Sequence, residues 1–221
     1  VMDIAVGAHG DSNDPSGSWG MGAVYILFLT TDGLTKSAQK ISVSYGGLSS
    51  FYTLESINEF GVDSSTLGDL DGDGVVDMVV GADQDDDGGS TAGAVYILFL
   101  TTDGLTKSAQ KISNFFGGLS SFYALDSNDS FGGSCSNLGD LDGDGVLDLV
   151  VGAYGDDDGS SDAGAIYVLF LMTNGLVKSA QKISNSYGGL SSFYTIASSN
   201  FFGISSACTS AAVVILMGPH D

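Results

Sequence analysis

The chain contains no arginine, only six lysines, two prolines, two cysteines and no long apolar run in its 221 residues. Each shortage excludes something. Phosphate binding needs clustered Lys and Arg, and here 27 acidic residues give a formal net charge of −21. Nucleic acid is therefore excluded as a partner, and so is docking on anionic lipid. A membrane-spanning helix needs roughly 18–20 apolar residues, and the longest runs here have the length of a buried strand, so no membrane insertion is expected. Val1 is followed at once by the acidic Asp3 with no basic start, so no secretory leader is visible and the chain reads as a mature or partial product. Cys135 and Cys208 do not make a disulfide framework. They read either as a pair, if their Cα atoms come within about 7 Å, or as two small buried thiols. Hydrophobic residues at 43% suffice to bury a core, in one domain or a short array. An acidic surface can serve solubility alone or invite cations, and the placement of the aspartates decides between these.

What the chain does have is a 71-residue repeat. Ala23–Leu29 reads A-V-Y-I-L-F-L, Ala94–Leu100 repeats it identically, and Ala165–Leu171 reads A-I-Y-V-L-F-L. K-S-A-Q-K-I-S recurs at Lys36, Lys107 and Lys178, G-G-L-S-S-F-Y at Gly46, Gly117 and Gly188, and Phe-Gly at Phe60, Phe131 and Phe202. Each copy should form the same supersecondary unit. The unit reads as all-β. Ala94–Leu100 is apolar at nearly every position and rich in β-branched and aromatic residues, the pattern of a strand covered on both faces. Asp103-Gly104 is a hairpin signal. A more polar strand follows at 107–113, whose lysines would block edge-to-edge pairing; K-S-A-Q-K could also be helical but is too short to stand alone. Gly117-Gly118 opens a loop, and strands at 131–135 and 147–153 flank an acidic segment. Four antiparallel strands per unit with apolar central strands predict β-propeller-type blades in preference to a linear solenoid.

The acidic segment carries the chemistry. Asp69-Leu70-Asp71-Gly72-Asp73-Gly74-Val75-Val76-Asp77 recurs as Asp140-Leu141-Asp142-Gly143-Asp144-Gly145-Val146-Leu147-Asp148. Carboxylates at positions 1, 3 and 5 can converge on one ion when the backbone curls, which Gly at positions 4 and 6 permits. The main-chain carbonyls of Val75 and Val146 and the ninth-position Asp77 and Asp148 would complete an all-oxygen shell. Such a shell suits Ca²⁺. A helical calcium hand wants Glu at position 12; here that position is Val80 or Val151, so the loop joins strands. A solvated acidic turn is the plain alternative, but carboxylates this crowded repel one another without a cation.

Phe-Gly, then D-x-D-G-D-G-x-x-D, then Gly-Ala resembles the FG-GAP repeat of integrin α-subunit propellers. The Gly-Ala pairs are Gly7-Ala8, Gly81-Ala82 and Gly152-Ala153. Two departures stand out: His9, Asp83 and Tyr154 replace the usual Pro, and the unit is longer than is usual in the family. The resemblance implies a propeller of about seven blades, one per repeat, with calcium loops on one face and adhesion or protein–protein contact as the work. On that basis the chain divides into blade 1 over 1–60, blade 2 over 61–131, blade 3 over 132–202 and terminal closing strands over 203–221.

The ends do not match a finished ring. Val1-Met2-Asp3 aligns with Val75-Val76-Asp77, so the chain starts inside a calcium loop, and after Phe202-Gly203 the apolar stretch 210–217 replaces the acidic loop. Three blades cannot close, since four to eight are typical. A dimer forming a six-bladed ring, a piece of a longer protein, or a head-to-tail polymer in which one chain's C-terminal strand completes the next chain's first blade would each reconcile this.

Smaller features complete the reading. Asp85-Asp86-Asp87, Asp156-Asp157-Asp158 and, more weakly, Asp11, Asn13 and Asp14 follow the Gly-Ala pairs, either as a second cation site or as hydrated loops. Asn128-Asp129-Ser130 is a glycosylation sequon. His9 and His220 are isolated; no phosphate loop, nucleophile elbow or Ser–His–Asp set is present, so no enzyme is expected. Trp19 lies in a loop unlike its copies and either packs or contacts a sugar or partner. Tyr52, Tyr123 and Tyr194, with their preceding Phe residues, are expected in the core. The chain is thus expected to be a calcium-stabilised extracellular structural or adhesive protein that assembles with itself. A recognition propeller for a protein or glycan ligand, and a non-catalytic part of a larger secreted hydrolase, are the alternatives.

Overall fold

The computed structural model describes residues 3–12 and 19–206. The C-terminal stretch 210–217, Cys208 and His220, with Asn13 and Asp14, lie outside the described residues, as does any Cys135–Cys208 pairing.

Eleven strands fill the described residues: β1 (Ile4–Ala8), β2 (Ala23–Leu29), β3 (Thr35–Ile41), β4 (Ser64–Gly68), β5 (Asp77–Ala82), β6 (Ala94–Leu100), β7 (Thr106–Ile112), β8 (Phe131–Gly139), β9 (Asp148–Ala153), β10 (Ala165–Leu171) and β11 (Val177–Ile183). They form three antiparallel meanders: β1-β2-β3, β4-β5-β6-β7 and β8-β9-β10-β11. The second and third sheets have the four strands of a propeller blade and the first has three among the described residues; they stack in chain order without closing a ring. K-S-A-Q-K is strand in every copy, because its register against the apolar strand is held by the hairpin around Gly104, where the Gly104 N–H donates to Thr101 O and the Thr101 N–H to Leu105 O.

The apolar runs are explained by burial on two sides. Strand β6 is buried at all seven positions. Its alternate residues Val95, Ile97 and Phe99 join Leu149, Val151, Tyr167 and Leu169 of the third sheet in one core. Ala94, Tyr96, Leu98 and Leu100 join Val24, Ile26 and Ile41 of the first sheet in the other. Successive side chains of a strand point to opposite faces, so only a strand sandwiched between two sheets is apolar throughout. The identical sequence in β2 is half-buried at four of seven positions, because only one of its faces has a sheet against it among the described residues. A cavity of about 420 Å³ opens between the first two sheets, lined by Ile4, Ile26, Phe28, Thr66, Val75 and Met78 among others.

Phe60 and Phe131 lock neighbouring sheets together. Each is fully buried, packs edge-on against Tyr96 or Tyr167 at 5.4 and 5.3 Å, and forms a parallel bridge with Gly22 or Gly93 of the preceding sheet. After the outermost strand, each G-G-L-S-S segment makes a short 3-10 turn at Leu48–Ser50, Leu119–Ser121 or Leu190–Ser192. This turn was not foreseen. It carries the chain across to the next sheet, where Gly46 O accepts from Thr106 N–H and Gly117 O from Val177 N–H.

The expectation that the recurring Phe-Tyr pairs are core is corrected. Tyr52 and Tyr123 are half-buried, edge-on to Tyr96 and Tyr167, but Phe51 and Phe122 are exposed, and Phe193 and Tyr194 are 80% and 77% exposed. Each Tyr packs against the sheet that follows it, and no described sheet follows Tyr194. Trp19 does not pack either; it is 80% exposed.

Candidate metal centres

Each D-x-D-G-D-G-x-x-D segment joins the first two strands of a four-stranded sheet, β4 to β5 and β8 to β9. Gly72, Gly74, Gly143 and Gly145 all have positive φ, between 78° and 89°. A Cβ at any of them would meet nothing within 4 Å, so the left-handed backbone, and not crowding, requires glycine there.

The curl is held by the aspartates themselves. Asp69 accepts N–H bonds from Asp73 at 2.9 Å and Gly74 at 2.8 Å. Asp140 accepts from Gly143, Asp144 and Gly145. Asp73 and Asp144 each cap the residue two positions on, Val75 and Val146, at 2.8 Å. Asp77 is fully buried and ties the loop to the sheet: it accepts from Leu70 N–H at 2.9 Å and from Leu100 N–H at 3.1 Å. Asp148 does the same with Leu141 and Leu171. Burial pushes the carboxyls of Asp77 and Asp148 upward, against those backbone donors. Asp3 keeps part of this arrangement in the first sheet, accepting from Leu29 N–H at 3.0 Å.

Carboxylate oxygens of Asp69, Asp71 and Asp77 lie within 4.8 Å of one another, as do those of Asp140, Asp142 and Asp148. Positions 1, 3 and 9 therefore converge in both loops. Position 5 does not: Asp73 and Asp144 stand outside these groups and face a lysine. Lys107 Nζ on β7 donates to Asp71 Oδ2 at 2.6 Å and also to Asp73. Lys178 on β11 donates to Asp142 at 2.6 Å and Asp144 at 2.5 Å. The hydrogen bond from lysine holds Asp73 and Asp144 below the usual carboxylate range, and the paired carboxylates raise Lys107 and Lys178. Val75 and Val146 end the curl with side chains packed on the two cores. The donors are oxygens alone, without His or Cys, and the buried ninth-position acid has only backbone N–H partners. Residues of this kind fit a hard divalent cation.

In the second acidic cluster the counter-charge is a lysine, buried in the second and third sheets and half-buried in the first. Lys111 pairs with Asp85 at 2.8 Å and Asp87 at 2.5 Å, Lys182 with Asp156 and Asp158 at 2.5 Å, and Lys40 with Asp11 at 2.8 Å. The recurring strand tyrosine donates to the same carboxylate: Tyr25 to Asp11 at 2.6 Å, Tyr96 to Asp85 at 3.0 Å, Tyr167 to Asp156 at 3.3 Å. The two lysines of K-S-A-Q-K thus serve opposite ends of one sheet. Their spacing of four in a strand puts both on one face, which was the available signal in sequence.

Asn128 is exposed with positive φ, while Ser130 of the same sequon is buried. Cys135 is buried. His9 is exposed.

Comparison with known proteins agrees with the loops and strands just described. The family model for the FG-GAP repeat matches residues 60–98 and 131–169. Integrin alpha-4 of Xenopus laevis is 38% identical over 95 residues, which is 43% of this chain and 8% of that protein. The chain therefore corresponds to a small part of that relative's length.

Proposed function

With two FG-GAP repeats in the chain as the premise, we propose that it is a calcium-stabilised structural or adhesive propeller module that works outside the cell. The observation that carries this is the double occurrence of three convergent carboxylates, at Asp69, Asp71, Asp77 and at Asp140, Asp142, Asp148. Asp73 and Asp144, with the carbonyls of Val75 and Val146, would complete each shell. The ion's contribution is structural: it cancels the mutual repulsion of a loop that ties two strands of a blade together.

A ligand that binds only the folded state stabilises it by mass action, and calcium is abundant outside cells. Among the described residues no helix is long and apolar enough to cross a membrane. Self-association is part of the proposal. The outer faces of the first and third sheets present half-buried Tyr25, Leu27, Ile166 and Phe170, surfaces of the kind a neighbouring sheet covers on both sides of the second sheet.

The test is thermal unfolding in millimolar calcium and in chelator. The melting temperature should fall by well over ten degrees in chelator, and an unchanged melt overturns the reading. Light scattering in the same two buffers tests assembly, with a calcium-dependent dimer or polymer expected and a monomer in both removing that part. A second reading, recognition of a protein or glycan ligand, is favoured by Trp19 alone, an aromatic 80% exposed in a loop unlike its copies. A glycan array on purified protein decides it.

A further inference from the structure

We propose that Lys107 and Lys178 set the cation affinity of the two loops, each acting as a tethered ammonium that fills the loop's charge deficit until a divalent ion displaces it. This rests on the calcium reading above and deepens it.

The argument starts from which oxygens are already committed. Both oxygens of Asp69 accept backbone N–H groups, as do both of Asp77. These acids are anchored whether or not an ion is present. Asp71 and Asp73 use Oδ1 for backbone N–H groups, and their Oδ2 atoms go to Lys107. The second loop repeats this atom for atom, with Asp142 and Asp144 Oδ2 on Lys178. The lysine therefore takes the oxygens that the backbone leaves free. Asp73, which stands apart from the converging Asp69, Asp71 and Asp77, shares the Lys107 ammonium with Asp71.

An arriving cation needs those same oxygens, so binding must break two charge-assisted hydrogen bonds and leave an ammonium nearby. Both effects weaken binding. They also sort ions by charge. A monovalent cation gains from the loop no more than the lysine already does, without the lysine's fixed hydrogen bonds, whereas a dication gains about twice the Coulomb energy. The lysines are about a third exposed, 35% and 34%, so a displaced ammonium can turn to water without unpacking the sheet. Lys36, at the same position of the first repeat, is exposed on β3.

The experiment uses the full chain in metal-free buffer and titrates calcium chloride alone by calorimetry, for the wild type, Lys107→Gln, Lys178→Gln and Lys107→Arg. Removing one unit charge about 6 Å from a dication, screened as in bulk water, is worth about tenfold in affinity. Each Gln variant should tighten one of two sites by about three- to tenfold, and Lys107→Arg should stay within about twofold of the wild type. The melt of each Gln variant in chelator should drop by a few degrees. Equal or weaker calcium affinity in the Gln variants overturns the proposal while the calcium reading stands. No calcium uptake by the wild type overturns both. If a Gln variant unfolds in chelator, the calcium midpoint for its refolding, compared with that of Lys107→Arg, reports the same quantity.

Discussion

Gly81 approaches Gly132 of the following sheet so closely that a Cβ on Gly81 would lie 2.0 Å from the Gly132 carbonyl oxygen. The pairs Gly7 with Gly61 and Gly152 with Gly203 repeat this at 2.1 and 1.8 Å. The Gly of each Gly-Ala therefore meets the Gly of the next Phe-Gly, which gives the repeat signature a physical reason: it marks where one blade's backbone touches the next. Gly81→Ala should destabilise by about 2–3 kcal/mol through forced backbone separation. Gly10→Ala, where a Cβ meets nothing within 4 Å, should stay within about 0.5 kcal/mol of the wild type. Urea midpoints of the two variants check this, and equal midpoints would remove the explanation.

Asp129 stands where Asn58 stands one repeat earlier. Asn58 Nδ2 donates to Asp85 at 2.8 Å, a bond that an ionised Asp129 cannot make to Asp156. Burial, reinforced by Asp156, pushes the Asp129 carboxyl up to about 7, with Lys182 opposing. The Asp126 N–H, which donates to the Asp129 carboxyl at 2.8 Å, also opposes the rise, and Asp158 and Tyr167 border Asp156. The folded value lies above the unfolded one, near 3.9. The folded state thus holds an extra proton between about pH 4 and 7, and stability falls as pH rises through that window. Asp129→Asn should flatten this slope and add about 2–4 kcal/mol at pH 8, from a shift of roughly three pKa units. Denaturant titrations at pH 5 and pH 8 in constant calcium measure it; parallel slopes in the two proteins would contradict it.

Asp77→Asn should remove one calcium site and leave the other, because the ninth-position acid is the one buried ligand of its loop. Calorimetric stoichiometry should fall from two to one. In chelator the variant should lose a further 1–3 kcal/mol, since an amide can accept at only one of the two positions that Leu70 and Leu100 N–H now use. Retention of two sites would move the ligand elsewhere.

Lys111→Met should be severe. It leaves Asp85, with 2% of its side chain exposed, facing Asp87 without a counter-charge, and breaking a buried pair by removing one partner costs about 3–5 kcal/mol. Lys111→Met with Asp85→Asn should recover part of that loss. A double variant no better than the single one would show that the lysine acts through its packing on Tyr96 and Phe116.

The strands, their order and the acidic loops were legible in the sequence because they depend on local chemistry: period, hairpin signals and Gly at left-handed positions. The convergence of Asp69, Asp71 and Asp77 was legible for the same reason. The departure of Asp73 toward Lys107 was not, because the two are 34 residues apart and meet only when β7 takes its register on β6. The lysine partners of the second acidic cluster were hidden likewise: Asp85 and Lys111 lie 26 residues apart.

The sequence by itself determined the repeat, the all-β unit and the pattern of oxygen donors, since each is written within a few neighbouring residues. Only the tertiary structure decided which copies of an identical segment are buried. Ala94–Leu100 is enclosed while Ala23–Leu29 is half open, and Tyr52 is packed while Tyr194 is bare. Burial belongs to a residue's neighbours in space, and in a stack of sheets the neighbours of the outer copies differ from those of the middle one.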